Sequence, residues 1–214
     1  MRPTYEEFLQ KTLAAIEALP PTEDVLGSVL KDARLAKKGL WCEFGVYHGE
    51  TLAKIVSARD IAKATGGTAE IWGFDSFRGL PEEWRNGGTI KEPTGKNFPA
   101  GSYSVGHVPL PPDGVRFAVG LFSETLPRLQ FDVNVTLAHI DCDLYSSTVD
   151  VLRFLEMHAT SGTFFVFDEI HNYIGFEDGE MKALYEWLYV EGMPQVPVEW
   201  VYRSVNQQAA LRLL

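Results

Sequence analysis

The chain is short of cations, of thiols and of long apolar runs, and each shortage removes a class of function. Against 29 Asp and Glu it carries only 19 Lys and Arg, a formal net charge of -10, whereas a phosphate backbone is held by clustered cations that displace its counterions. Nucleic acid is therefore not expected as a partner. Acidity of this kind also serves plain solubility and identifies nothing by itself. The two cysteines, Cys42 and Cys142, each fall in an apolar run with no second thiol at metal-ligand spacing, which predicts buried, reduced thiols. No stretch approaches the ~18 uninterrupted apolar residues of a membrane span, and the start of the chain lacks the apolar segment of a secretion signal. The expectation is a cytoplasmic protein that does not engage a membrane. Repeats and low-complexity tracts are missing too. What is present, 214 residues of which 45% are hydrophobic, suffices to fill one core.

Two helices lead. Tyr5, Phe8, Leu9, Thr12, Leu13, Ile16 and Leu19 recur at helical spacing until Pro20-Pro21 stops them, and a second stripe, Val25, Leu26, Val29, Leu30 and Ala33, predicts a helix from Thr22 to the Lys37-Lys38-Gly39 end. From Leu40 short apolar runs alternate with helical stretches, the pattern of parallel βαβ units. Strands are predicted near 40–44, 70–74, 115–119, 134–141 and 162–168, with helices near 49–64, 123–129, 146–159 and 177–191. Runs at 196–203 and 207–213, joined by Ser204, Val205 and Asn206, form a hairpin, so the last strand should be antiparallel. The reading is an α/β, Rossmann-like class I methyltransferase fold: a mostly parallel seven-stranded sheet ending in an antiparallel hairpin. A dinucleotide dehydrogenase would continue with a parallel strand. Residues 1–39 form an N-terminal helical extension and 40–214 one globular unit. Within it, 81–114 lacks periodicity and is rich in Gly and Pro, which suits a lid or substrate loop or a packed excursion. The leading helices' apolar stripes could be buried in a homodimer or higher homo-oligomer, or equally on the parent sheet.

Four strand ends carry chemistry. In Trp41-Cys42-Glu43-Phe44-Gly45-Val46-Tyr47-His48-Gly49-Glu50-Thr51 a strand ends in an acid and opens through glycines, which admit a ligand close to the backbone; the full Gly-x-Gly-x-x-Gly pyrophosphate signature is absent. Asp75, followed by Ser76 and Phe77, ends the next strand and could accept the hydrogen bonds of two ribose hydroxyls. Glu43, Gly45, Tyr47, Gly49, Thr51, Asp75, Ser76 and Asp141 are the candidate cofactor contacts, with Phe122 against an adenine or simply in the core. His139-Ile140-Asp141-Cys142-Asp143 and Phe167-Asp168-Glu169-Ile170-His171 bring three or four carboxylates to neighbouring strand ends. Like charges that close call for a cation or a proton, and hard oxygen ligands suit Mg²⁺. Asp143 could instead cap the following helix, and His139 could be a hydrogen-bonded core residue.

The stretches "CEFGVYHGET", "GFDSFRGLPEEW", "GLFSETLPRL", "HIDCDLYSSTVDVL" and "GTFFVFDEIHNY", in this order over roughly 40–175, resemble the TylF (macrocin) O-methyltransferase family. The resemblance implies transfer of a methyl group from S-adenosylmethionine (SAM) to a hydroxyl of a sugar or another small natural-product molecule. It also implies a Mg²⁺ on Asp141, Asp168 and Glu169, with Asp141 doubling as general base. Glu169 stands where that family's pattern leads one to expect Asp. Such a transfer is an in-line displacement needing proton removal from a metal-bound hydroxyl, and His171 is the alternative base, with Tyr145 a possible substrate contact. The competing expectations are a SAM- or metal-binding module without turnover and a metal-dependent hydrolase using the same acids.

Overall fold

The computed structural model describes residues 2–85, 97–190 and 195–214. Seven strands, β1 (Leu40–Phe44), β2 (Glu70–Asp75), β5 (Val115–Val119), β6 (Val135–Ile140), β7 (Ala159–Phe167), β8 (Val198–Arg203) and β9 (Ala209–Leu213), form one sheet in the order β5-β2-β1-β6-β7-β9-β8. The five strands from β5 to β7 are parallel; β9 inserts between β7 and β8 and is antiparallel to both. This is the class I methyltransferase order. The chain leaves β1 for β2 on one side and later returns to β6 on the other, which opens a crevice at the carboxyl ends of these strands. A separate two-stranded ribbon pairs β3 (Trp84–Arg85) with β4 (Asn97–Phe98).

Strand alternation gives the sheet two buried faces. Cys42, Phe44, Phe74, Ile140, Phe165 and Phe167 lie on one, under α5 (Tyr145–His158) and α6 (Glu180–Leu188); Trp41, Ile71, Leu137, Phe164 and Val166 lie on the other, with Leu52 and Ile55 of α3 (Glu50–Lys63). The leading helices dock on this body. Phe8 and Ile16 of α1 (Tyr5–Glu17) join the first face, and Val25, Leu26 and Val29 of α2 (Val25–Lys31) the second. Their apolar stripes thus pack on the parent body, with Tyr5, Leu9, Leu13 and Leu30 partly buried against it.

Three expectations shift. Helix α2 is shorter than its apolar stripe suggested. Asp24 caps it through the Gly27 N–H at 2.9 Å, and Asp32 ends it by accepting the Arg34 N–H at 2.8 Å, a local bond that competes with helix continuation. The segment expected as a helix over 123–129 is one turn, α4 (Phe122–Thr125), followed by a 3₁₀ turn at Leu126–Arg128 that contains Pro127. The 177–191 helix begins only at Glu180, after a 3₁₀ turn at Phe176–Asp178, and residue 191 lies outside the described residues. Of the 81–114 stretch, 86–96 also lie outside them; the flanks are packed, with Trp84 stacked on Phe98 at 5.2 Å and 7% exposed. Among the described residues no helix is long and apolar enough to cross a membrane.

Candidate active site

The loop after β1 is built by backbone contacts. Gly45 has φ 92° and donates its N–H to Phe74 O at 2.9 Å; a Cβ there would stand 1.9 Å from the carbonyl oxygen of Asp141, so only glycine lets the loop cross the end of β6. Asp75 braces this loop. Its Oδ2 accepts the N–H groups of Val46 at 2.8 Å and Tyr47 at 2.9 Å, and its Oδ1 that of Phe77 at 2.7 Å. A carboxylate offers about four lone-pair sites, so three bonds leave capacity for one more donor. Sequence reading assigned Asp75 only to a ligand's ribose; its first structural duty is to hold the loop that would surround that ligand.

A cavity of about 440 Å³ opens over these strand ends. Gly45, Tyr47, Asp75, Ser76, Phe122 and Asp141 line it, as do Asp143 and Glu169. Glu43, Gly49, Thr51, Asp168 and His171 do not. Glu43 lies below the floor, fully buried, with Oε1 3.2 Å from His139 Nδ1. Gly49 is the N-cap of α3 and Thr51 lies in its first turn. Asp168, beside the cavity, accepts a hydrogen bond from the Gln208 side chain. His171, expected as an alternative base, is buried and donates from Nε2 to Gln208 O at 3.2 Å, while its backbone N–H is tied to Gln207 O. Burial lowers its pKa, and nothing brings it to the cavity. Tyr145 likewise turns away and donates to Glu186 at 2.6 Å.

The acids do not converge as one trio of Asp141, Asp168 and Glu169. Two groups form around Asp141, each with ligand atoms within 4.8 Å of one another: His139, Asp141 and Asp168, and Asp141, Asp143 and Glu169. Asp143 is no helix cap. Leu144 holds that position, and Asp143 sits at φ 59°, turned into the cavity. Burial first, then the charge of Asp168, pushes the Asp141 and Glu169 carboxyls well above the usual range, and the same causes, with Asp75, push Asp143 to about 7. His139 moves the other way from a typical buried imidazole. Burial favours its neutral form, but the Glu43 hydrogen bond and the charges of Glu43, Asp141 and Asp168 outweigh that and raise it to about 9. Glu169 Oε2 is buried without a hydrogen-bond partner. An unpaired carboxylate oxygen beside two more carboxylates fits a hard divalent cation, whose charge would relieve all three.

Several lining residues escaped sequence reading. Ser146, Ser147 and Asp150 face the cavity from the first turns of α5, and Glu82 reaches it from the loop after β2, accepting the Ser146 hydroxyl. Their helical spacing, i, i+1 and i+4, was a usable signal. Glu82 carried none, because its partner is remote in sequence.

A family model described as Macrocin-O-methyltransferase (TylF) matches residues 22–183. The chain belongs to the TylF family. It is 27% identical over 183 residues, 77% of this chain and 67% of the relative, to the 8-demethyl-8-(2,3-dimethoxy-alpha-L-rhamnosyl)-tetracenomycin-C 4'-O-methyltransferase of Streptomyces olivaceus. Among solved structures its fold is similar to the calicheamicin methyltransferase CalS11, with a TM-score of 0.61 at 22% identity over 99% of this chain and 80% of that one. The apo form of CalS11, described as a TDP-rhamnose 3'-O-methyltransferase, gives 0.56 at 23% identity over 96% and 80%. A further fold match is an O-methyltransferase from Bacillus cereus in complex with S-adenosylhomocysteine, at 0.52 and 13% identity over 99% and 90%. This TylF member is thus an O-methyltransferase by family, and its mostly parallel sheet is the fold those structures share.

Proposed function

We propose that the protein transfers a methyl group from SAM to a hydroxyl of a sugar or similar small natural-product molecule, with a divalent cation such as Mg²⁺ held by Asp141, Asp143 and Glu169. One observation carries the reading: one cavity is lined both by Gly45, Tyr47, Asp75 and Phe122 and by those three acids. A donor held by the first set would lie in the same cavity as the second. Asp75 keeps the loop open and has one acceptor position left for a ribose hydroxyl, while Phe122 offers an apolar surface to the adenine. The cation, when bound, would lower the pKa of an acceptor hydroxyl and fix its direction. Asp141, shared by both acid groups, can accept the proton. Asp168 faces His139, whose Nε2 is 3.9 Å from its Oδ1, and is tied by Gln208.

Calorimetric titration with S-adenosylhomocysteine, with and without Mg²⁺, tests this. Micromolar binding is expected, followed by methyl transfer in a screen of sugar and phenolic hydroxyls. Absence of binding in both conditions would remove the reading and favour a hydrolase using the same acids; binding without any acceptor turnover would mark a module that has lost catalysis.

A further inference from the structure

Two helices meet at the cavity where the donor's base is placed. Phe122 of α4 lies 6.1 Å from Phe44 at the end of β1, and the same Phe44 ring lies 6.0 Å from Phe154 of α5, both edge to face. Helices α4 and α5 pack directly on each other. Asp150 stands on the same side of α5 as Phe154, one helical turn nearer the start of the helix, and it lines the cavity together with Phe122, Ser123 and Ser147. It takes no part in the acid groups around Asp141. Its one ion pair among the described residues is with Arg153, 3.9 Å away; the Arg153 side chain is 74% exposed and that of Asp150 only 28%. Burial raises the Asp150 pKa, and Arg153 offsets part of that. A largely buried carboxylate that lines a cavity, with a distant and solvated cation as its counter-charge, keeps acceptor capacity for a ligand.

The chemistry of the base selects among these groups. An adenine laid on Phe122 turns its edge toward the side chains that stand around that ring. Its exocyclic amino group is the one hydrogen-bond donor on the base, while its free ring nitrogens accept. The hydroxyls of Ser123 and Ser147 can donate or accept and so suit either kind of partner, whereas an ionised Asp accepts only. A carboxylate there rewards an amino group and is left unpaired without one. Resting on the methyltransferase reading, with Phe122 against the base, we infer that Asp150 is the residue that reads the donor's purine: it accepts a hydrogen bond from the adenine amino group and so distinguishes an aminopurine donor from one without it.

The probes are S-adenosylhomocysteine and its deamino analogue, in which hydrogen replaces the adenine amino group. They are titrated calorimetrically at mildly alkaline pH, so that the raised Asp150 carboxyl is ionised. The wild-type protein should bind the analogue about ten- to hundredfold more weakly, the range for losing one charge-assisted hydrogen bond. Asp150→Ala should bring the two ligands to within about threefold of each other, and Asp150→Asn, which keeps one carbonyl acceptor, should fall between. A merely structural Asp150 would instead weaken both ligands alike and leave their ratio unchanged. Equal binding of the two ligands by the wild-type protein overturns the inference, and so does a ratio that Asp150→Ala leaves intact. Failure of S-adenosylhomocysteine itself to bind is a different result: it removes the methyltransferase reading, and this inference with it.

Discussion

His139 Nδ1 lies 3.2 Å from Glu43 Oε1, and the two side chains are 1% and 0% exposed. They are register partners on adjacent strands β1 and β6, facing the same side of the sheet. Glu43 was expected at the cofactor; it is instead the buried counter-charge that keeps an imidazolium beneath Asp141 and Asp168. Removing one member leaves the other charged and buried without compensation, which costs about 3–5 kcal/mol. Glu43→Gln and His139→Ala should each lower the unfolding free energy by that amount, read as a lower urea midpoint at unchanged slope. A loss below about 1 kcal/mol, the range of exposed pairs, would show that the pair does not hold the two strands together.

The same charges set a pH dependence. His139 is raised in the folded state to about 9 from 6.5, so its contribution is whole below the lower value and disappears as pH rises through the higher. Asp143, raised to about 7 from 3.8, binds a proton in the folded state that the unfolded chain has already released, so its contribution also fades between those values. Both slopes have one sign. In chelator, the thermal midpoint should fall as pH is raised from about 7 to 9, above the range in which the lowered His171 acts with the opposite sign; Mg²⁺ should raise it most at the alkaline end, where the acids are ionised. A midpoint that rises with pH in chelator contradicts the assignment.

Most of the fold was legible because strand periodicity and the glycine and proline breaks are local. The strands at Leu40–Phe44 and Val115–Val119 stand where alternation put them. Side-chain placement failed wherever the strand rule ran out. Asp141 and Asp143 are two residues apart, but β6 ends at Ile140, and Asp143 reaches the cavity only through a left-handed backbone turn. Asp168 and Glu169 read as a pair because they are adjacent, yet neighbouring side chains point apart, one to Gln208 and His139 and the other to Asp143. His171 follows in the same apolar stretch, but its backbone pairs with Gln207 and turns it inward. Each of these outcomes depends on partners far along the chain.

Asp75 can be dissected by two substitutions. Asp75→Ala removes the acceptor for three backbone N–H groups, and each charge-assisted bond of this kind contributes about 1.5–3 kcal/mol. Affinity for S-adenosylhomocysteine should drop by at least about tenfold, accompanied by a lower thermal midpoint. Asp75→Asn keeps one carbonyl acceptor, enough for Val46 and Tyr47 but not for Phe77. It should therefore retain more stability than affinity. If the two variants bind equally well to wild type, the loop is held by something other than this carboxylate.

Asp141→Asn separates chemistry from binding. Asp141 belongs to both acid groups and lines the cavity, while its backbone N–H donates to Phe44 O at 2.9 Å. That backbone bond does not depend on the side chain, and the amide fills nearly the same volume, so the strand end and the glycine loop should persist. The substitution removes one negative charge from a crowded set, which would relieve repulsion and leave the metal-free protein as stable or more so. Binding of S-adenosylhomocysteine should stay within about threefold of wild type, under ~1 kcal/mol. Turnover should fall by at least about 10²-fold, the low end for loss of a general base. Full activity in this variant would move both metal binding and proton removal elsewhere, and Asp143→Asn would then be the variant to measure against it.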